Sequence, residues 1–301
     1  MVVASNVPIV GVLRAHQEWL ADASTGSRAD LSGMTFNEGN FARADLSRAL
    51  LIGVTMLDTD LTGANLTGAN LDRADLQRSN LAGASMEGAS IANTHFTGAW
   101  MAGVNFSEAK GNGARFRRAE LKGARFLDFA AQEISFREAL MVDTSFHQAR
   151  LYEADFQDAN LSGAQFYHAR LQHTKFNGAI LIGASFQGSK VDHCRFPAAK
   201  LADVKFKRAE ITQCIFRDAD MRNCDFREAR MQGGDFCRAV LTGSRFGKAH
   251  LKTVDFRGAN LAGAQEMTVE QLSMSLTDHN TTLPNGKKGP YMKYSGAEKP
   301  A

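Results

Sequence analysis

The sequence predicts an all-β chain wound into a solenoid, and three observations carry that reading. An apolar residue recurs at every fifth position from Leu31 to Leu261, giving 47 consecutive pentads without an insertion. A small residue, usually Ala, stands two positions before each centre, as at Ala64, Ala69 and Ala74. Gly dominates two positions after it and takes 18 of the chain's 27 glycines there. Five residues turn an α-helix by about 500°, so these centres would draw no stripe on a helix. Two inward residues flanking one outward residue is the β alternation, lasting only three residues. The Gly that follows permits a corner. Short strand and corner in alternation force the chain to coil, with backbone groups paired between coils stacked about 4.8 Å apart.

The elements follow in order. A solenoid end is an apolar disc with unpaired strand edges and needs a cover. Ile9, Val12, Leu13, His16, Trp19 and Leu20 fall at helical spacing, with Asn6 and Pro8 as start signals, which predicts a capping helix over about residues 8–22. Cap and turn fill residues 1–28, and the repeats fill 29–265. From Phe116 to Phe256 all fifteen centres whose numbers end in 6 are Phe, while their neighbours are almost all aliphatic, so Phe columns are expected on opposite walls. Only Gly111 and Ala131 are too small to serve as centres, and Phe129 occupies a small-residue slot beside them. The expected arrangement is a volume swap, with the Phe129 ring filling the vacated space; the alternative makes Lys110-Gly111-Asn112-Gly113 a bend that a partner reads. Beyond Ala264, Thr268-Val269-Glu270-Gln271 can form a capping box for a short helix ending near Met274, in a C-terminal cap over 266–286. Residues 287–301 lack periodicity and are expected to be a flexible tail.

The stretches ADLSG, GANLTGANLDRADLQRSNLAGA and YEADFQDANLSGAQF resemble the pentapeptide-repeat family, over roughly residues 29–265. RAHQEWL before ADLSG, and LTDHNTTLPNG after the repeats, are similar to the terminal caps of its members. The resemblance implies a right-handed quadrilateral β-helix of four pentads per coil with short helical caps at both ends. At that count the pentads make about twelve coils, roughly 55 Å in all.

The chain has 301 residues, 44% hydrophobic and 22% charged, which excludes a disordered chain, a collagen and a coiled coil. No stretch reaches the roughly 18 consecutive apolar residues of a membrane span. Val7 to Val12 is too short for a signal peptide, and four cysteines make no disulfide framework, so a cytoplasmic location is expected. No Ser/His/Asp arrangement, CxxC pair or phosphate loop is present, and an enzyme is not expected. Acidic residues occupy outward repeat positions, where solvent demands polarity. His173 and His193 lie twenty apart, with His168 one corner back and Glu153 as a third ligand, but polar surface histidines account for them better than a metal site. Cys194, Cys214 and Cys224 fall on inward positions and read as small buried hydrophobes. Neither cofactor nor metal is expected.

Function is then left to the outer faces. One outward row is rich in apolar residues: Trp100, Ala102, Leu140, Val142, Ile180, Ile182 and Val240, with Ala202, although Glu120, Lys200 and Asp220 share it. Such a row marks an interaction surface, with Trp100 as its anchor. Charge is uneven along the chain. Residues 29–109 hold 4 Lys/Arg against 9 Asp/Glu, net −5, whereas 110–263 hold 25 against 17, net +8. Arg150, Arg170 and Lys190 recur at the coil period, and Lys200 and Lys205 add a second basic cluster. The leading expectation is a non-catalytic protein–protein interaction scaffold or adaptor, binding a protein partner or a second copy. The alternative, implied by the resemblance, is a DNA-mimic modulator of type II topoisomerase (DNA gyrase) that gives quinolone or toxin resistance; the net charge of +3 departs from the negative surface that mimicry needs. Direct nucleic-acid binding is weaker still, because no aromatics interleave the basic residues.

Overall fold

The computed structural model describes residues 9–300. The chain divides into two compact units, one ending at Ser145 and the other beginning at Phe146. Both are built from the pentad as the sequence requires. In the first unit parallel bridges join residues twenty apart, from Asp30–Leu50 to Arg125–Ser145. It also holds helix α1 (Ile9–Ala21) and the short strand β1 (Ala130–Gln132). In the second unit six three-residue strands, β2 (Arg150–Tyr152), β3 (Arg170–Gln172), β4 (Lys190–Asp192), β5 (Glu210–Thr212), β6 (Arg230–Gln232) and β7 (His250–Lys252), pair in parallel at the same offset, one per turn. Helix α2 (Val269–Ser273) follows them.

This corrects the expected solenoid of about twelve coils. The strand ladder of the second unit spans about six turns, and two short helices are the only helical elements among the described residues. In a solenoid each turn touches only its neighbours. An unbroken pentad register therefore counts corners, and it carries no information on how many turns form one compact body.

The interior follows the sequence closely. Phe146, Phe166 and Phe186 stack at 4.9 and 4.7 Å, and Phe156, Phe176 and Phe196 at 4.9 and 4.7 Å, with edge-to-face contacts between the two columns. In the first unit Phe96 stacks on Phe116 and Phe106 on Phe126. Ser, Thr or Cys in the small slot finds a backbone carbonyl, 23 residues earlier for Thr94 to Leu71 at 2.7 Å, Ser244 to Met221 at 2.9 Å and Cys224 to Leu201 at 3.1 Å, and three residues earlier for Thr144 to Met141 at 2.8 Å and Ser189 to Phe186 at 2.7 Å. The slot therefore accepts small polar side chains without leaving a buried donor unpaired.

Corners take left-handed backbone whatever the residue: Glu38, Asp58, His173 and Ala198 have φ of 57°, 53°, 54° and 54°. At the defect, a Cβ on Gly111 would lie 2.5 Å from Phe129 Cζ, and Phe129 is fully buried edge-to-face against Phe126 at 5.1 Å. Lys110 keeps its bridge to Ala130, so this segment is a packed volume swap in an uninterrupted wall.

The helix over Ile9–Ala21 matches the expected span; the start signals Asn6 and Pro8 lie outside the described residues. It is pinned by His16, whose Nδ1 accepts the Ala29 N–H at 3.0 Å while Nε2 bonds the Ser47 carbonyl at 3.0 Å. Burial pushes the pKa of His16 down. Trp19 stacks on His16, and Arg28 lies over the Trp19 ring. At α2 the capping box forms as its sequence predicts, Thr268 Oγ1 accepting from the Gln271 N–H and Gln271 Oε1 from the Thr268 N–H.

Candidate functional site

Each pentad offers three outward places: the residue before the centre, the residue after it, and the corner. An Asp or Asn in the first place turns its carbonyl or carboxylate oxygen back onto the N–H two residues on, as Asp45 does to Ser47 and Asn160 to Ser162. These acids serve the turn as well as the surface. Corner residues twenty apart meet side by side, and opposite charges there pair: Arg78 with Asp58, Arg118 with Glu138, Arg208 with Glu228 and Arg238 with Asp218. The Arg78 hydrogen bond holds Asp58 below the usual carboxylate range, and Arg238 does the same to Asp218.

The row of apolar outward residues is placed separately in each unit. In the first, Trp100 and Leu140 are exposed in one column with Glu120 between them, Ala102 is exposed and Val142 half-buried. In the second, Ile182 is exposed and Ile180, Ala202 and Val240 are half-buried. Ile180 bridges Lys200, and Asp220 bridges Val240, so charge interrupts this column. Asp220 is itself paired with Arg222.

The basic residues Arg150, Arg170 and Lys190 stand on β2, β3 and β4 in direct register. Like charges set opposite one another repel, and the column is relieved at Glu210 on β5, which pairs with Lys190 at 3.1 Å. Lys200 and Lys205 are exposed on two other walls, so the structure does not gather all five into one patch. Tyr152 meets His173 edge-on, and His173 lies 5.1 Å from His193, whose Nδ1 contacts Asp192.

The one group of three metal-ligand donors within 4.8 Å of each other among the described residues is Asp235, Cys237 and Asp255; the His173, His193 and Glu153 set, which the sequence reads as polar surface residues, is not such a group. Arg217 and Arg257 already pair with the two carboxylates. Burial and the flanking carboxylates push the Cys237 thiol up to about 12. The cluster was legible only as an offset of twenty between Asp235 and Asp255, because adjacent turns bring those positions together. Cys194, Cys214 and Cys224 are buried free thiols, and burial raises Cys214 and Cys224 well above the ordinary thiol range. No helix among the described residues is long and apolar enough to cross a membrane.

Comparison with known proteins adds the following. A family model for pentapeptide repeats matches residues 27–56, 59–98, 89–126, 132–166 and 159–196, and one for a pentapeptide repeat region matches 189–265. No curated protein sequence matches. Among solved structures, a trypsin-treated variant of QnrB1, a plasmid-mediated fluoroquinolone resistance protein, is 16% identical, covering 69% of this chain and 89% of its own, with a TM-score of 0.45. HetL from the cyanobacterium Nostoc sp. strain PCC 7120, involved in heterocyst differentiation regulation, is 22% identical, covering 90% and 98%, with a TM-score of 0.24. A thylakoid-lumen protein of Arabidopsis thaliana is 18% identical, covering 52% and 83%, with a TM-score of 0.17.

Proposed function

Since the chain belongs to the pentapeptide-repeat family, we propose that it works as a partner-binding scaffold whose docking face is the outward column of Trp100 and Leu140. The solenoid is a structural, non-catalytic scaffold, so its selectivity must reside in what its walls display. The observation that carries the reading is a large aromatic side chain left 48% exposed, with Leu140 at 40% in the same column. Trp is the residue type most enriched at interface hot spots. The free thiols of all four cysteines support the expected cytoplasmic setting. The test is affinity capture from a cell lysate with wild type beside a Trp100→Glu/Leu140→Glu double variant. A protein retained by wild type and lost by the variant supports the reading, and equal recovery from both overturns it.

A second reading, DNA mimicry directed at a type II topoisomerase, has one observation in its favour. Of the nine acidic residues in 29–109, Asp58 alone is ion-paired among the described residues, so this segment displays uncompensated negative charge. Against it stands the net +8 over residues 110–263. A gyrase supercoiling assay with a fluoroquinolone decides: restored supercoiling on adding the protein favours mimicry, and unchanged inhibition removes it.

A further inference from the structure

On the wall of β2–β7 each turn passes its backbone groups to the next. The N–H of Glu153 donates to Gln172, His173 to Asp192, His193 to Thr212, Gln213 to Gln232 and Gly233 to Lys252. The series stops at β7. Among the described residues the N–H groups of Leu251 and Thr253 have no acceptor, and the Leu251 carbonyl has no donor. The cause is visible in the sequence: Glu266 stands where the next Phe of the pentads would fall, and the Thr268 capping box turns the segment that would have formed the next strand into α2. Gln271 covers part of the edge, its Nε2 donating to the Phe246 and Ala249 carbonyls at 2.8 Å each. Other walls of the same turn are closed, since Phe256 donates to Leu276, Leu261 to Thr282 and Gly263 to Pro284.

We infer that the unpaired edge of β7 is a strand-addition site for an extended acidic segment of a partner protein. An unpaired strand edge is a template for another strand. Here it faces a cleft of about 560 Å³ between β7 and α2. Lys248, His250 and Lys252 line the cleft against the single acid Glu270, and Met274, half exposed, gives it an apolar side. A segment continuing the parallel ladder would place alternate residues beside His250 and Lys252, where Glu or Asp complements them. Its central residue would turn toward Met274, where Val or Leu fits. The site is separate from Trp100 and Leu140, so the two proposals fail independently.

The probe is a fluorescein-labelled peptide, Ser-Thr-Glu-Val-Glu-Thr-Ser, titrated into the full chain by fluorescence polarisation, alongside hydrogen exchange of the Leu251 and Thr253 amides. Saturable binding is expected, lost at least about tenfold with His250→Glu/Lys252→Glu and equally with a peptide N-methylated at the Glu that follows its central Val, whose N–H would donate to the Leu251 carbonyl. Both amides should exchange quickly in the free protein and at least about tenfold more slowly with peptide. Trp100→Glu should leave this binding unchanged. The inference is overturned by absence of binding up to about 1 mM, by binding that survives N-methylation, or by amides already protected without peptide.

Discussion

At Gly111 and Phe129 the solenoid exchanges volume between two positions of the repeat. Because Phe129 Cζ occupies the space a Gly111 side chain would need, Gly111→Leu should unfold or strongly destabilise the chain, and Phe129→Ala should cost about 3–5 kcal/mol in chemical denaturation. The two changes together should cost less than their sum, which a double-mutant cycle measures directly. Corners carry a different strain. Ala198 holds φ of 54° with a Cβ that disfavours it and no polar side chain to compensate. Ala198→Gly should therefore stabilise by about 0.5–1 kcal/mol, the relief of left-handed strain exceeding the added unfolded-chain entropy.

Among the elements, α1 depends on one buried imidazole. Its Nδ1 accepts a backbone N–H, so His16 must stay neutral, and burial lowers its pKa accordingly. The unfolded chain then binds the proton more readily, and stability falls as pH drops below the ordinary histidine value near 6.5. Wild type should lose melting temperature between about pH 7 and 5, and His16→Gln, which keeps a donor and an acceptor, should flatten that dependence. The Phe columns are the corresponding element of the second unit. Phe176 lies in stacked contact with Phe156 and Phe196, and Phe176→Ala should cost about 3–5 kcal/mol, seen as a lower denaturation midpoint.

Over the whole molecule, corner ion pairs tie one turn to the next. Asp58, Glu138, Asp218 and Glu228 are all held below their ordinary range by the arginines that hydrogen-bond them, so their contribution is intact above about pH 4.5 and is lost as pH falls through the depressed values. Acid titration should therefore show a second loss of stability below about pH 4, separate from that of His16. Arg208→Met/Arg238→Met should reduce it. These side chains are exposed, so added salt should weaken the effect at neutral pH.

The pentad register, the inward columns, the exchange at Gly111 and Phe129, and the places of both short helices were legible in the sequence. Those features depend on whether a side chain faces in or out, and the period settles that for every residue from Leu31 to Leu261. The period leaves other features open, and they follow from contacts between turns. These contacts divide the chain at Ser145 and Phe146 into two units and limit the strand ladder of the second to about six turns. Lys200 and Lys205 lie on other walls than the column of Arg150, Arg170 and Lys190, and the edge of β7 is left unpaired beside α2. Outward side chains and chain ends are not constrained by core packing. Their partners are fixed only by where neighbouring turns and the closing helix come to rest.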